Sequence, residues 1–381
     1  MLFNKLYEKE PIEMIEEKMK QVFEHMHANP ELSNEEHRTT DYIYDFLENE
    51  GFKPVRFKNI TGLYCDMGNF DPGNTVIGVR ADIDALWQEV DGVQQANHSC
   101  GHDAHTSMVI GTMLKLKGHE KLESTGVRFI FQPAEEVGSG ALSVVDEGVI
   151  ERMDYFIGIH LRPEEEALSG VASPSIEHGA ASSLEFRIVG DDAHGARPHL
   201  NHNAIEVGTD IVGMLSKIHI NPTVPSSVKM TRFLSGGKSL NIIPGSAECG
   251  IDMRAQTNEQ MEKLKGRVDD ILENIEKLYD VSIEDVDYSG IVASESHQDA
   301  IDLLRKSIVD VLGEERCIDP IITSGGDDFH FYTVKYPELK GAMLGLGCGL
   351  KPGLHHPYMT FDHDALKSGT EILYQAVLNV E

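Results

Sequence analysis

The chain has 381 residues, 40% of them hydrophobic and 25% charged, the balance of an ordinary globular protein with enough length for two cores. Its formal net charge of −30 opposes association with nucleic acid or an anionic membrane surface, so neither is expected as a partner. An anionic substrate would need a local basic or metallic site to hold it. The five cysteines, Cys65, Cys100, Cys249, Cys317 and Cys348, are odd in number and widely spaced, which fits a reducing compartment better than a disulfide framework. Met1 to Glu10 lacks the apolar core of a secretory signal, and no stretch approaches the length of a membrane span. A cytoplasmic protein is expected.

From His37 to Glu50 the apolar residues Tyr42, Ile43, Phe46 and Leu47 recur at helical spacing, and Gly51 follows as a stop signal. Thr75–Ala81 reads as a buried strand, and Thr106–Leu116 as a helix. Val127–Phe131 and Tyr155–His160 are two further apolar strands, with a helix predicted between them over Ala141–Val149. Strands alternating with helices predict an α/β domain whose parallel or mixed sheet is covered on both faces. The texture changes near Ser182. Leu184, Phe186 and Ile188 alternate with polar residues, Asn203–Ile218 fits a helix, and Ala247, Cys249, Ile251 and Met253 alternate in another strand. Glu259–Leu278 is an amphipathic helix. These elements predict a compact α+β unit at 182–289, inserted into a larger domain made of 1–181 and 290–381. The chain then returns through a helix near Gln298–Leu312, a strand near Ala342–Leu346 and a last helix from Asp364 to Leu378.

The densest chemistry lies in Ser99-Cys100-Gly101-His102-Asp103-Ala104-His105, which places a thiol, an acid and two imidazoles together. In a reducing compartment such a cluster points to metal rather than to a disulfide. Cys100 and His102 are two residues apart, so in an extended segment both side chains would face one side, with Gly101 letting the backbone pass close to an ion. Gln132-Pro133-Ala134-Glu135-Glu136 follows directly on a strand, at the position where α/β proteins place their sites. In a non-helical turn one glutamate could bind an ion while its neighbour reaches a water as general base. Paired acids at a helix N-terminus, favoured by the dipole, are the other reading of the same run. His160 ends its strand before Leu161-Arg162-Pro163 and would face the same rim if the strands run parallel. In Gly353-Leu354-His355-His356-Pro357 successive side chains of an extended run point oppositely, so one histidine of the two should face an ion.

In order along the chain, CGHDAHT, QPAEE, GIH, HGARPHL, SLNIIP, GGDDFHFY and LHHP resemble the motifs of metal-dependent amidohydrolases. This is the branch of the co-catalytic metallopeptidase superfamily that includes N-acyl-amino-acid amidohydrolases, hippurate hydrolases and indole-acetyl-amino-acid hydrolases. RADIDALW at Arg80–Trp87 fits too, with Trp87 where relatives often carry proline, a departure near the site entrance. The resemblance implies an α/β metallopeptidase-like catalytic domain with an inserted ferredoxin-like lid and dimerisation domain, and hence a homodimer. It implies Cys100, His102, Glu136, His160 and His355 as ligands of two divalent ions, manganese or zinc, with cobalt also suited. Cys100 would bridge the pair, and the pattern Leu-His-any-Pro selects His355 over His356. It further implies Glu135 as general base, His194 as a donor to substrate or oxyanion, and Asn241 and Arg254 as contacts to a substrate carboxylate.

That chemistry is coherent. Amide hydrolysis needs an activated water, a polarised carbonyl and a stabilised oxyanion, and paired cations supply the first two. The expected substrate is an N-acyl amino acid or a similar small amide. A dipeptidase or another deacylase on the same scaffold, and a binding protein without catalysis, are the alternatives. A purely structural zinc site fits poorly, because such sites close a shell of four ligands and leave no spare glutamate.

Overall fold

The computed structural model describes residues 11–381, and the stretch Met1–Glu10 lies outside the described residues. The chain divides into two compact units. One takes in the chain to Glu177, Glu295–Ile321 and Asp327–Glu381, and the other His178–Ser294 with Ile322–Gly326. The second unit is thus wider than 182–289, because its first strand begins at Ala180, its last ends at Ile291, and a short later segment joins it.

The first unit is built on a seven-stranded sheet in the order Pro54–Arg56, Leu63–Gly68, Thr125–Gln132, Thr75–Asp82, Tyr155–Pro163, Lys340–Leu350, Ala172–Ser173. The middle four strands are parallel to one another, and the outer ones pair antiparallel. Thr75–Asp82 and Tyr155–Pro163 are buried almost end to end, as their continuous apolar runs require when helices cover both faces. Their C-terminal ends share one rim of the sheet. Asp82 pairs with Gln132 across one ladder, and His160 with Gly345 across another.

The helix His102–Leu116 is buried on nearly all sides, packed against the sheet and the helices Ile12–Ala28 and Ala365–Asn379. A helix enclosed this way has no polar face to show an amphipathic stripe. Gly111 allows the close approach, since a Cβ there would lie 2.5 Å from Met19 Sδ. This helix begins at His102 rather than Thr106, so the chain from Cys100 to His102 is not extended. Gly101 takes φ +94, in the left-handed region, and turns the chain straight into the first helical residue. A Cβ at that glycine would meet Leu161 Cδ1 at 2.9 Å.

The second unit carries a four-stranded sheet in the order Ser226–Ser235, Ala247–Ala255, Ala180–Val189, Ser282–Ile291, antiparallel throughout. The helix Ala204–Leu215 follows the first strand in the chain and Asn258–Tyr279 the third, which is the β-α-β-β-α-β ferredoxin-like arrangement. Leu184, Phe186, Ile188, Ile251 and Met253 form its core with Val207, Ile211, Leu264, Val268 and Ile275 from the helices. No helix among the described residues is long and apolar enough to cross a membrane. All five cysteines are free thiols.

Candidate metal centre

Six of the residues singled out in the sequence lie in the first unit, at the C-terminal rim of its parallel strands. Donor atoms of Cys100, His102 and His160 lie within 4.8 Å of one another, and so do those of Cys100, Glu136 and His355. The two triplets share the Cys100 sulfur. Cys100 Sγ is 3.4 Å from His160 Nε2, His102 Nε2 is 3.7 Å from Glu136 Oε1, and His355 Nε2 is 3.4 Å from Glu136 Oε2. Cys100, His102, Glu135 and His160 are buried, whereas the His355 side chain is 55% exposed and closes the group from the solvent side.

Gln132-Pro133-Ala134-Glu135-Glu136 forms a tight non-helical turn and not the start of a helix, since the next helix, Gly140–Asp146, begins beyond it. Ala134 stands at φ +55, and its N–H donates to the buried Glu36 carboxylate at 2.8 Å. The turn aims the adjacent glutamates differently. Glu136 Oε1 and Glu135 Oε2 lie 3.7 and 3.8 Å from His102 Nε2, but Glu135 also reaches Asp327 and Asp328.

Hydrogen bonds decide which ring nitrogens are free. His102 Nδ1 donates to the Asp84 carbonyl at 3.0 Å and to its carboxylate at 3.1 Å, which leaves the Nε2 lone pair facing the cluster. His160 Nδ1 donates to the Leu161 carbonyl at 2.7 Å, which leaves Nε2 toward Cys100. His105 differs. Its Nδ1 donates to Asp82 at 2.7 Å and its Nε2 accepts the Leu161 N–H at 3.0 Å, so both nitrogens are occupied. His102 Nε2 and Glu136 Oε1 are buried with no hydrogen-bond partner. Orphaned donor atoms of two ligand types, turned toward each other in a buried site, suit a cation between them.

The electrostatics carry the same signature. Burial pushes the Cys100 thiol well up, with Glu136 adding to it, and burial pushes Glu136 up to about 7 against the pull of His102. Burial raises Glu135 well above the usual carboxylate range, helped by Asp327, Glu136 and Asp328. Burial disfavours the His102 cation, yet Asp82, Cys100 and Asp84 outweigh it and hold its pKa well up. Burial, then His105 and Arg162, push His160 well down, and burial with His102 lowers His355. Protons therefore stand where cations would. Arg80, a fully buried guanidinium beside the site, donates to Asp82 at 2.6 Å, Gln132 at 2.9 Å and Asp328 at 3.0 Å, with Asp327 at 3.5 Å. Arg162 is taken up by Glu166, and Arg80 alone does not balance Asp82, Asp84, Glu135, Glu136, Asp327 and Asp328.

A family model described as Peptidase family M20/M25/M40 matches residues 78–379. The chain belongs to this family. An N-acetyl-L-cysteine deacetylase of Bacillus subtilis is 29% identical over 368 residues, covering 92% of this chain and 85% of that one. An N-acyl-L-amino acid amidohydrolase of Geobacillus stearothermophilus is 34% identical over 237 residues, covering 59% and 63%. Among solved structures, the Bacillus subtilis YXEP protein, a dinuclear metal binding peptidase from the M20 family, matches with a TM-score of 0.79 at 24% identity, over 96% of this chain and 98% of that one. This M20 chain is a hydrolase of carbon–nitrogen amide bonds.

The remaining sequence candidates of this M20 hydrolase belong to the second unit. His194 lies exposed on the short ladder Ala193–His194 with Ile242–Ile243, where its Nδ1 accepts the Ala196 N–H at 3.0 Å. Asn241 adjoins it, its carbonyl accepting the Gly195 N–H at 2.8 Å. Arg254 projects from the strand Ala247–Ala255 on the side away from the apolar core and pairs with Asp252 at 2.9 Å. Trp87, in the first unit, is 60% exposed on the hairpin Leu86–Val90/Val93–Asn97.

Several residues that shape the centre carried no role in the sequence reading. Asp82 and Asp84 orient His105 and His102, and Arg80 ties Asp82 to Asp328. Their signal was present in RADIDALW, where acids two apart follow an apolar strand and so face one way. Glu36 gave no such signal, because its partners Thr61 and Ala134 are remote in sequence.

Proposed function

We propose that this protein hydrolyses the amide bond of N-acyl amino acids or similar small amides at a centre of two divalent ions. The observation that carries the reading is the pair of ligand triplets sharing Cys100, with His102 Nε2 and Glu136 Oε1 orphaned between them. Cys100, His102 and His160 would hold one ion, and Cys100, Glu136 and His355 the other. The thiolate favours zinc, while imidazole and carboxylate also suit manganese or cobalt. When bound, the ions supply Lewis acidity for the scissile carbonyl and bring the pKa of a water toward neutrality.

The chain's own residues do the rest. Glu135, raised by burial and by Asp327, holds a carboxylate basic enough to take the proton of the attacking water and pass it to the leaving amine. Asp84 keeps His102 in the tautomer that offers Nε2. On the second unit, His194 donates to the developing oxyanion, and Asn241 and Arg254 receive the substrate carboxylate, local positive charge that a chain of net −30 needs for an anionic substrate. The same unit acts as a lid and as the surface of a homodimer. The names of the Bacillus and Geobacillus relatives, a deacetylase and an N-acyl amino acid amidohydrolase, support the substrate class.

The test is a panel of N-acetyl, N-benzoyl and longer N-acyl amino acids beside dipeptides, given to the purified protein loaded with manganese, zinc or cobalt. Turnover concentrated on the N-acyl amino acids is expected. Turnover of dipeptides alone would reassign the substrate, and stoichiometric metal with no turnover of any amide would remove the catalytic reading.

A further inference from the structure

His355 is the one exposed member of the ligand set, and its backbone is unusual. It stands at φ +63, in the left-handed region that a histidine enters only when its surroundings hold it there. Both of its backbone polar groups are tied. Its N–H donates to the Ser99 carbonyl at 2.7 Å, and its carbonyl accepts from Gln88 Nε2 at 2.7 Å. Gln88 is itself fixed, since its Oε1 accepts from Ser99 Oγ at 2.8 Å and Asn97 Nδ2 at 3.1 Å. Asn97 Nδ2 also donates to the Pro357 carbonyl at 3.1 Å, and the Tyr358 hydroxyl meets Asp91 Oδ1 at 3.0 Å. The hairpin Leu86–Val90/Val93–Asn97 thus grips the turn around His355 along its length.

The strand explains which side chain grips. Leu86, Gln88 and Val90 are partly covered while Trp87 and Glu89 are exposed, so Gln88 faces the turn and Trp87 faces away. Gln88 is the only hairpin side chain among the described residues with a hydrogen bond to His355 itself.

We propose that Gln88 is a positioning residue for the ion held by Cys100, Glu136 and His355, and that the hairpin it belongs to sets how tightly that ion is kept. This rests on the two-ion reading above. A turn held in a left-handed conformation relaxes when its carbonyl loses its donor, and His355 Nε2 then leaves its place 3.4 Å from Glu136. The ion of Cys100, His102 and His160 has no ligand on that turn and is unaffected. An amide is required at position 88, because it must donate to one carbonyl while accepting from Ser99 and Asn97. A carboxylate keeps the two acceptor contacts and sets an oxygen against the His355 carbonyl.

The experiment counts ions per chain, by elemental analysis, as manganese- or zinc-loaded protein is dialysed against rising chelator. It uses wild type, Gln88→Glu, His355→Ala and the double variant, with Glu89→Gln on the exposed face as control. Wild type should lose its ions in two steps. Gln88→Glu should move the first step to about tenfold lower chelator and leave the second in place, in line with the loss expected when a ligand's supporting hydrogen bond is removed. In the His355→Ala background the Gln88 substitution should have no further effect, and Glu89→Gln should match wild type. A wild type with two ions and an unmoved first step in Gln88→Glu would overturn this inference alone, as would an equal shift of both steps. A wild type that never holds two ions would overturn the two-ion reading and this inference with it. Gln88→Glu is nearly isosteric, and the melting temperature of the metal-free variant checks that any loss is local.

Discussion

The two units treat charge differently. Every buried Asp, Glu and Arg among the described residues belongs to the first unit: Glu31, Glu36, Arg80, Asp82, Asp84, Asp103, Glu135, Arg162, Asp327 and Asp328. The second unit buries apolar side chains and a few polar ones, His178, Ser182 and Gln260, and none of its Asp, Glu, Lys or Arg side chains among the described residues is buried. A buried charge is costly unless it is paired, so its concentration at one rim of one sheet marks where the chain keeps charge for chemistry. The second unit is a scaffold whose candidates, His194, Asn241 and Arg254, are surface residues.

The sharpest break in this comparison is Glu135→Gln. It should lower turnover about 10²- to 10⁴-fold, the usual worth of a general base, while elemental analysis still finds two ions per chain. Retained turnover would remove Glu135 from the chemistry. Arg80→Met comes next. It leaves Asp82 and Asp328 buried without their shared partner, and a cost of about 3–5 kcal/mol is expected in denaturant unfolding. Breaking the exposed pair Arg187–Asp285 of the second unit with Arg187→Ala should cost less than about 1 kcal/mol. Equal costs would mean that buried charge is not what separates the units.

Asp84→Ala leaves the backbone carbonyl that accepts from His102 Nδ1 but removes the carboxylate that also holds His102 and accepts the Glu136 N–H, and should weaken metal affinity about 10- to 100-fold by competition with a chelator. The effect of pH is smaller per unit and has a definite sign. Glu136 is pushed up to about 7, and Cys100, Glu135 and His102 are also raised, so the metal-free site holds protons at neutrality that ions must displace. Affinity should rise with pH and fall roughly tenfold per unit below about 7 for each proton displaced, with proton release on loading seen by calorimetry in two buffers. His160 and His355, held low chiefly by burial, are already neutral there and add little to that competition. Affinity independent of pH between about 6 and 8 would contradict the assignment.

The parallel core and the α+β character of the second unit were legible because buried strands such as Thr75–Asp82 open as apolar runs and Asn258–Tyr279 has a clear stripe, whereas the ferredoxin-like arrangement came from the family resemblance. The helix His102–Leu116 was legible only in part. Its first turn is polar and carries the candidate ligands, so its start looked like a loop. Local reasoning placed Cys100 and His102 on one side of an extended segment, and the chain brings them together instead through the left-handed turn at Gly101. The glutamate pair could be read two ways until the turn at Ala134 separated it from a helix start. The hairpin that carries Gln88 was not read at all, since Leu86–Asn97 is mostly polar and its partner is the remote turn at His355. Contacts made across long stretches of chain leave no local pattern.

The most direct test of the central claim is anomalous diffraction from crystals of the protein grown with manganese or zinc. Two peaks per chain are expected, one among Cys100 Sγ, His102 Nε2 and His160 Nε2, the other among Cys100 Sγ, Glu136 and His355 Nε2. A single peak, or ions that leave His102 Nε2 and Glu136 Oε1 without a partner, would contradict it.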